Sequence, residues 1–441
     1  MRDDHVSREA LDAFLRGRLP RPDAAAHLQH LLHGCSHCSS LLRGELSRRR
    51  GLPPEGYARA FLDTAAFIIG KEAPLALERV AAPGLSVRLQ ELDWPQRRLL
   101  VANDERYRTW GLCERLIHES RQAIWHVHVD TIVDRARCAL LVGEHLDGVH
   151  YGEPHVHDLL AEAHAAVANS LRLRSDFPGA QRHLRHAYDL LARGTGDDLE
   201  SIRVASLEAS LLTTLGRFEE TVALLDRQVK RLVRFREDQL RAKLLVQKGI
   251  ALGYFDPERA TAVLRSALAL VDAREAPRLA LCARHSLIWC LNASGQSHEA
   301  LMQLHASRRL FRQFPDRWAQ LQLQWTEARL AFDLGRVDEA EAAYQALWGE
   351  AFELDLRLET ALISLDMIEV QIALGRYGDA VTVARRLVDL FTAWKVHRRA
   401  MQAWSLLLEA LRLQTASGEL VAELARYLRR AWKNPELEFR G

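Results

Sequence analysis

The amino-acid sequence predicts an all-α protein, a solenoid of helical hairpins with a period of about 40 residues, preceded by a small helical domain at the N-terminus. Three observations predict this fold. A small residue recurs at nearly constant spacing, an apolar stripe with helical spacing follows each copy, and a glycine precedes most copies. The chain has 441 residues and is 48% hydrophobic, which is ample for a buried core.

The recurring small residue ends six similar segments that begin after about residue 155. Its copies are Ala180, Thr221, Ala260, Ala300, Ala340 and Ala380, so successive copies are 41, 39, 40, 40 and 40 residues apart. A single supersecondary unit cannot bury its apolar face alone, and it does so by stacking on copies of itself. The regular spacing therefore predicts stacked structural repeats.

An apolar stripe follows each small residue at positions +4 and +11, which is helical spacing. Its members are Leu184 and Leu191, Leu225 and Leu232, Leu264 and Val271, Leu304 and Phe311, Tyr344 and Ala351, and Ala384 and Phe391. Each repeat thus contains a helix that begins near the small residue and buries this stripe.

A turn glycine stands five residues before the small residue in four copies, at Gly216, Gly295, Gly335 and Gly375. Glycine tolerates the left-handed conformation that ends a helix, so it indicates a tight turn between two antiparallel helices. The segments "SDFPGA" and "GYFDPERA" lack this glycine and are interpreted as degenerate copies, because the stripe persists in both. Two helices of about 17 residues and two short turns fill the period.

The turns "LGRFEET", "LGRVDEA" and "LGRYGDA" resemble those of tetratricopeptide repeats. The common tetratricopeptide period is about 34, and longer helices would explain the longer period here, although HEAT-like solenoids also occupy this range. The resemblance implies a scaffold that binds proteins, with a possible peptide site in the concave face of the array. It does not identify the target.

The stretch "HLQHLLHGCSHC" near the N-terminus contains His30, Cys35 and Cys38 with the spacing His-x4-Cys-x2-Cys. Zinc prefers four such ligands in a tetrahedron, and two cysteines three positions apart can reach one ion. The fourth ligand must come from elsewhere, and His5, at the start of the predicted first helix, is the candidate. His33 or His37 could substitute for His30.

This block resembles the zinc-binding anti-sigma domain of bacterial regulators, through His5, "FLRGRLP", His30, Cys35 and Cys38. The sequence has one extra residue between the histidine and the first cysteine. The resemblance implies a zinc cofactor and a sigma factor, or a similar transcription regulator, as the protein partner. A thioredoxin-type redox pair would need a preceding strand, and two unligated cysteines at a helix end are the other alternative.

The predicted organisation has four parts: the anti-sigma-like zinc-binding domain at 1–48, a linker with capping helices at 49–154, the tetratricopeptide-like array at 155–396, and C-terminal capping helices at 397–441. No apolar run reaches the length of a membrane helix and no signal peptide is evident, so we expect a cytoplasmic protein without membrane contact. Nucleophile elbows, Walker loops and dinucleotide-binding motifs are absent from the sequence, which predicts a protein that is not an enzyme.

Net charge argues against a general affinity for nucleic acid, because 60 basic and 58 acidic residues nearly cancel. One basic stretch, 227–243, is an alternative: it could be a helix that binds phosphates, or a solvated outer face. The sequence therefore predicts a non-enzymatic regulator or adaptor that sequesters a sigma factor through the zinc module, with the array as a second protein-binding surface. An assembly scaffold with purely structural zinc is the first alternative, and a nucleic-acid-binding regulator is the second.

Overall fold

The computed structural model of the chain describes residues 5–15, 18–20, 23, 27, 37–38, 41, 74–123, 129–235, 237–394, 396, 398–432, 434, 437 and 439. Within these residues the structure is helical and contains no strand. The prediction of an all-α helical-repeat fold is confirmed. No helix of the described residues is long and apolar enough to cross a membrane.

The helices before the regular repeats differ in length. They are α1 (Arg8–Leu15), α2 (74–90), α3 (Trp94–Asn103), α4 (Trp110–Ala123), α5 (Val129–Gly143), α6 (Gly148–Tyr151) and α7 (Glu153–Leu173), with a 3-10 turn at Glu105–Tyr107. The hydroxyl of Ser7 accepts a hydrogen bond from the backbone N–H of Ala10 at 3.1 Å and so caps α1.

The remaining helices alternate as the first and second helices of hairpins. They are α8 (Phe177–Leu191), α9 (Asp198–Thr214), α10 (Phe218–Leu232), α11 (Asp238–Gly253), α12 (Pro257–Leu268), α13 (Pro277–Ala293), α14 (Ser297–Phe311), α15 (Arg317–Asp333), α16 (Val337–Glu353), α17 (Arg357–Ala373), α18 (Tyr377–Ala393), α19 (Arg398–Arg412) and α20 (Gly418–Ala431). Six of them have the 17 residues that the period predicts.

The chain forms two compact units. Unit 1 comprises 1–174 and 185–196, and unit 2 comprises 175–184 and 197–441. Unit 2 contains the five hairpins that run from α9 to α18 and the terminal hairpin of α19 and α20.

Unit 1 contains an irregular polar contact and a close helix crossing. The buried Arg97 donates hydrogen bonds to the carbonyls of Leu89 and Gln90, at 2.6 and 3.2 Å, and to Asp134 Oδ1 at 2.6 Å. It therefore joins the end of α2 to α3 and α5. Gly111 allows α4 to approach α2 closely, since an added Cβ would lie 2.7 Å from the backbone N of Arg79.

The repeat register is confirmed by burial. All six small residues from Ala180 to Ala380 are 0% exposed, and all six residues at position +4 are buried. At position +11 the prediction is wrong for Leu191 and Val271, which are only partly buried. Val271 lies beyond the end of α12 at Leu268, so its side chain does not align with the apolar stripe of that helix.

The turns behave as predicted where glycine is present. Gly216, Gly295, Gly335 and Gly375 have φ values of 71°, 77°, 80° and 70°. In the degenerate copy "SDFPGA", Ser175 takes the same left-handed conformation with φ of 65°. The "GYFDPERA" copy uses a different device: the side chain of Asp256 accepts a hydrogen bond from the backbone N–H of Arg259 and caps α12.

Candidate functional site

The first helices of the hairpins in unit 2 form a continuous surface, the inner-helix face. Helix α9 packs directly on α11, α11 on α13, and α13 on α15, whereas each second helix packs mainly on its flanking first helices. An array whose first helices lie closest together curves toward them. The inner-helix face is therefore the concave surface on which the sequence places a possible partner.

Side-chain hydrogen bonds cross this face between residues about one repeat apart, and we call these bonds the polar ladder. They join Ser206 to Gln247 at 2.9 Å, His285 to Thr326 at 2.9 Å, Asn292 to Asp333 at 2.5 Å, Trp325 to Asp366 at 2.6 Å, and Arg329 to Glu369 at 2.5 Å. The ladder ties successive first helices together, and some of its groups, such as Ser206 and Asn292, are buried between them.

Arg329 is the centre of the most charged part of the ladder. Its guanidinium contacts Asp333 at 3.0 Å, Asp366 at 3.5 Å and Glu369 at 2.5 Å. Formal charges of the four groups sum to −2 when all are ionised. Charge-assisted hydrogen bonds of this kind hold the guanidinium in one orientation, and the excess of carboxylate favours a further cationic group nearby.

Ionisation of the cluster reflects its partial burial. Burial raises the pKa of Asp366, although Arg329 and the indole N–H of Trp325 oppose this change. Burial also raises the pKa of Tyr344, whose hydroxyl is buried close to these carboxylates and has no hydrogen-bond partner among the described residues. Burial lowers the pKa of His285, which bridges α13 and α15.

Aromatic side chains pack together near the first hairpin of unit 2. Tyr254, at the end of α11, stacks on Phe218 with ring centroids 4.2 Å apart, and its ring lies 5.2 Å from that of Trp289. These three rings belong to the core between α10, α11 and α13.

Unit 2 also contains a small cavity. A cavity of about 130 Å³ lies between α16, α17 and α18, with Trp348, Met367 and Arg386 among its lining residues. Arg386 lies over the ring of Trp348 at 3.8 Å and Trp348 donates a hydrogen bond to Ser364, so its polar groups already have partners. Ligand sites for small molecules usually measure about 300 Å³ or more, so this cavity is too small for one.

The predicted metal ligands are only partly within the described residues. His5 Nδ1 and the buried Cys38 Sγ lie 3.7 Å apart, although 33 residues separate them in sequence, and the ring of His37 lies 4.5 Å from that of His5. His30 and Cys35 lie outside the described residues. Among those that are described, no group of three or more histidine, cysteine or acidic residues is arranged around one metal position.

The two described donors fit one zinc ion. In a tetrahedral site, a histidine nitrogen about 2.0 Å from zinc and a thiolate about 2.3 Å from it lie roughly 3.6 Å from each other. The observed separation of His5 and Cys38 matches this value. The zinc site, including His37 as a substitute histidine ligand, stays a prediction.

The basic stretch 227–243 is not one helix, and that part of the nucleic-acid alternative is wrong. Helix α10 ends at Leu232 and α11 begins at Asp238. Arg231 and Arg234 both contact Asp198, and Arg231 also donates to Gln228 at 2.9 Å. Intramolecular pairing therefore occupies two of the cations that a phosphate site would need.

The polar ladder was missed by sequence reasoning, although a signal for it exists. Its partners lie 40 or 41 positions apart, so each bridge joins nearly equivalent positions of consecutive repeats. Polar residues that recur at the repeat period on the first helices indicate such bridges. The small residue and the apolar stripe of the second helices indicate only the hydrophobic core.

Comparisons with known proteins give a structural likeness alone. No protein-family model matches the chain, and no curated protein matches it. The crystal structure of a Rap protein complexed with competence and sporulation factor is similar at a TM-score of 0.57 with 12% identity, over 73% of this chain and 88% of that chain. The crystal structure of aspartyl phosphate phosphatase F from Bacillus subtilis matches at a TM-score of 0.40 with 12% identity, over 70% and 96% of the two chains. The first of these likenesses shows that the chain shares the helical-repeat fold of the Rap protein.

Proposed function

We propose that the protein is a non-enzymatic regulator or adaptor that binds a protein partner on the inner-helix face of unit 2. The observation that carries this proposal is the cluster around Arg329, where three carboxylates surround one guanidinium beside aromatic side chains. Such a surface fits a partner segment with basic and apolar residues. The Rap protein of similar fold was crystallised with a separate factor, which supports a peptide or protein as the partner here.

The N-terminal segment is proposed to hold zinc through His5, His30, Cys35 and Cys38, and to sequester a sigma factor or similar transcription regulator. The contact between His5 and Cys38 supports a shared ion. A zinc ion would clamp the two short helices that the sequence predicts there, which have little core of their own. Control of release would then come from a second partner on the inner-helix face.

Photocrosslinking tests the partner surface. Position 322 lies on the helical face of α15 that also carries Thr326, Arg329 and Asp333. A benzoylphenylalanine at Gln322 should form a crosslink to a discrete partner in cells of the native host. The same amino acid at Ala346, exposed on α16, is the control and should give none. Equal crosslinks from both positions, or none from position 322, would contradict the proposal.

Metal analysis tests the N-terminal site. Full-length protein purified under reducing conditions without chelator should contain about one zinc per chain, and the double variant Cys35→Ser, Cys38→Ser should contain none. Binding to a sigma factor encoded beside the gene, measured by co-purification, should be lost in the same variant. Zinc-free wild-type protein would refute the metal site. Zinc without sigma-factor binding would favour the scaffold alternative with structural zinc.

A further inference from the structure

Helix α20, the last helix of the described residues, packs differently from the other second helices of unit 2. Each of α10, α12, α14, α16 and α18 packs between its own first helix and the first helix of the next hairpin. Helix α20 packs instead on its own first helix, α19, and on the first helix of the preceding hairpin, α17. Because α18 already contacts α17 and α19 from one side, α20 lies on the other side, on the inner-helix face.

One side of α20 is apolar and the other is exposed. Val421, Leu424, Leu428 and Ala431 are buried at helical spacing in one cluster with residues of α17, α18 and α19, whereas Arg426 is exposed. The start of the helix lies beside the ladder, since a Cβ added to Gly418 would lie 3.6 Å from Glu369 Oε1. An amphipathic helix thus occupies part of the proposed partner surface.

The other end of α20 reaches the first turn of unit 2. Arg430 lies 3.4 Å from Glu219 and 5.9 Å from the ring centre of Phe218, more than 200 residues away in sequence. A Cβ added to Gly216 would lie 2.7 Å from the Cα of Arg430. At the equivalent turn residues Gly295, Gly335 and Gly375 an added Cβ has nothing within 4 Å.

Charge reinforces this docking. Arg429 lies near enough to Asp366 and Tyr254 to lower the pKa of each against the effect of burial. Arg430 pairs with Glu219 at the turn. The basic end of α20 therefore supplies cations to a face on which the Arg329 cluster has an excess of carboxylate.

We propose that α20 is an internal occupant of the inner-helix face, and that the partner displaces it with an amphipathic helix of the same pattern. This partner helix would present an apolar stripe at positions i, i+3, i+7 and i+10 and basic residues at its C-terminal end, as in helix-in-groove recognition. Release of α20 would expose the apolar surface of α17 and α19. It would also break the contact between Arg430 and the Gly216 turn. The partner in this inference rests on the proposed function, whereas the docking of α20 can be measured without any partner.

Hydrogen exchange of the full-length protein tests the docking, and the chain supplies matched controls. Gly216→Ala and Gly335→Ala suffer the same backbone strain at positive φ, but only the first places a Cβ against Arg430. Amides of 418–431 should exchange at least ten times faster in Gly216→Ala than in Gly335→Ala or Gly375→Ala. Equal exchange in the three variants would overturn the inference.

A charge pair provides a second readout that needs no glycine variant. Arg430→Glu should speed exchange in 418–431, the exposed control Arg426→Glu should not, and the double variant Glu219→Arg, Arg430→Glu should restore much of the protection. Equal exchange in Arg430→Glu and Arg426→Glu, or failure of the swap to restore protection, would count against the contact.

Binding of a defined peptide tests the exchange of helices. A fluorescein-labelled peptide of residues 416–432 should bind the Gly216→Ala protein at least ten times more tightly than the Gly335→Ala protein. Leu424→Asp and Leu428→Asp in the peptide should abolish binding. Equal affinity for the two proteins would refute displacement. Crosslinking from position 322 reports on the partner surface independently, so failure of the proposed function and failure of this inference give different results.

Discussion

Units 1 and 2 are both built from packed helices, yet they are stabilised in different ways. In unit 2 the same contact recurs: a small residue such as Ala340, with 0% exposure, lets two helices cross, and the stripe beside it fills the core. In unit 1 the contacts that join helices are each made once and do not recur along the chain. Arg97 joins three helices and Gly111 allows one close crossing.

This difference determines how each unit should respond to substitution. Because each hairpin makes similar contacts with its neighbours, the free energy of unfolding of the array is a sum of similar contributions from its hairpins. A contact that occurs once has no equivalent elsewhere, and its loss leaves buried polar groups without partners. Substitutions of Ala340, Arg97 and His285 should reveal that contrast, with effects that decrease in this order.

Replacement of Ala340 by arginine should destabilise unit 2 by about 4 kcal/mol, because a long charged side chain would enter a fully buried helix crossing. Asp338→Arg, two residues earlier on the exposed side of α16, should change the free energy of unfolding by no more than about 0.5 kcal/mol. Urea denaturation of the two variants measures both values. Equal midpoints would show that the repeat register is wrong.

Replacement of Arg97 by methionine should destabilise unit 1 by about 3 kcal/mol, because the carbonyls of Leu89 and Gln90 would lose their donor. The neighbouring Arg98 is exposed, so Arg98→Met serves as the control and should be nearly neutral. Limited proteolysis can locate the effect: early cleavage is expected within 74–143 in Arg97→Met alone. Cleavage that begins in the repeats would contradict the assignment.

Acidification should weaken unit 2 through His285 by a smaller amount. Burial lowers the pKa of His285 from its usual 6.5, so the unfolded chain binds a proton more readily than the folded protein does. Stability is then lost as pH falls below about 6.5 toward the folded pKa, by at most about 1.4 kcal/mol per pH unit. Denaturation midpoints between pH 7.5 and 5.5 should fall less in His285→Gln than in wild type. The exposed His305→Gln should keep the wild-type slope.

Sequence reasoning predicted the repeats well because their core obeys a period. Ala340 and Tyr344 repeat a pattern that six copies reveal, and the turn glycine Gly335 repeats one that four copies share, so their burial or positive φ follows directly. The zinc site at His5, His30, Cys35 and Cys38, indicated by ligand chemistry and by the resemblance to anti-sigma domains, stays a prediction, although His5 and Cys38 lie 3.7 Å apart.

The candidate partner surface could not be predicted in the same way. Arg329 and Asp366 resemble ordinary solvated residues in the sequence, and only the stacking of α15 on α17 brings them together. The position of α20 could not be predicted from the sequence either. Its apolar stripe predicted a closing cap, but the choice between an outer and an inner position depends on tertiary packing that no local pattern encodes.

Contact between Arg430 and the Gly216 turn has a consequence for how this chain can change in evolution. Open solenoids tolerate the gain or loss of whole repeats, since each added unit meets only its neighbours. Here the final helix touches the first turn of unit 2, and one hairpin more or fewer would carry Arg430 away from Glu219. The copy number of the hairpins is therefore fixed by ring closure, and length variation among related chains should be confined to the turns.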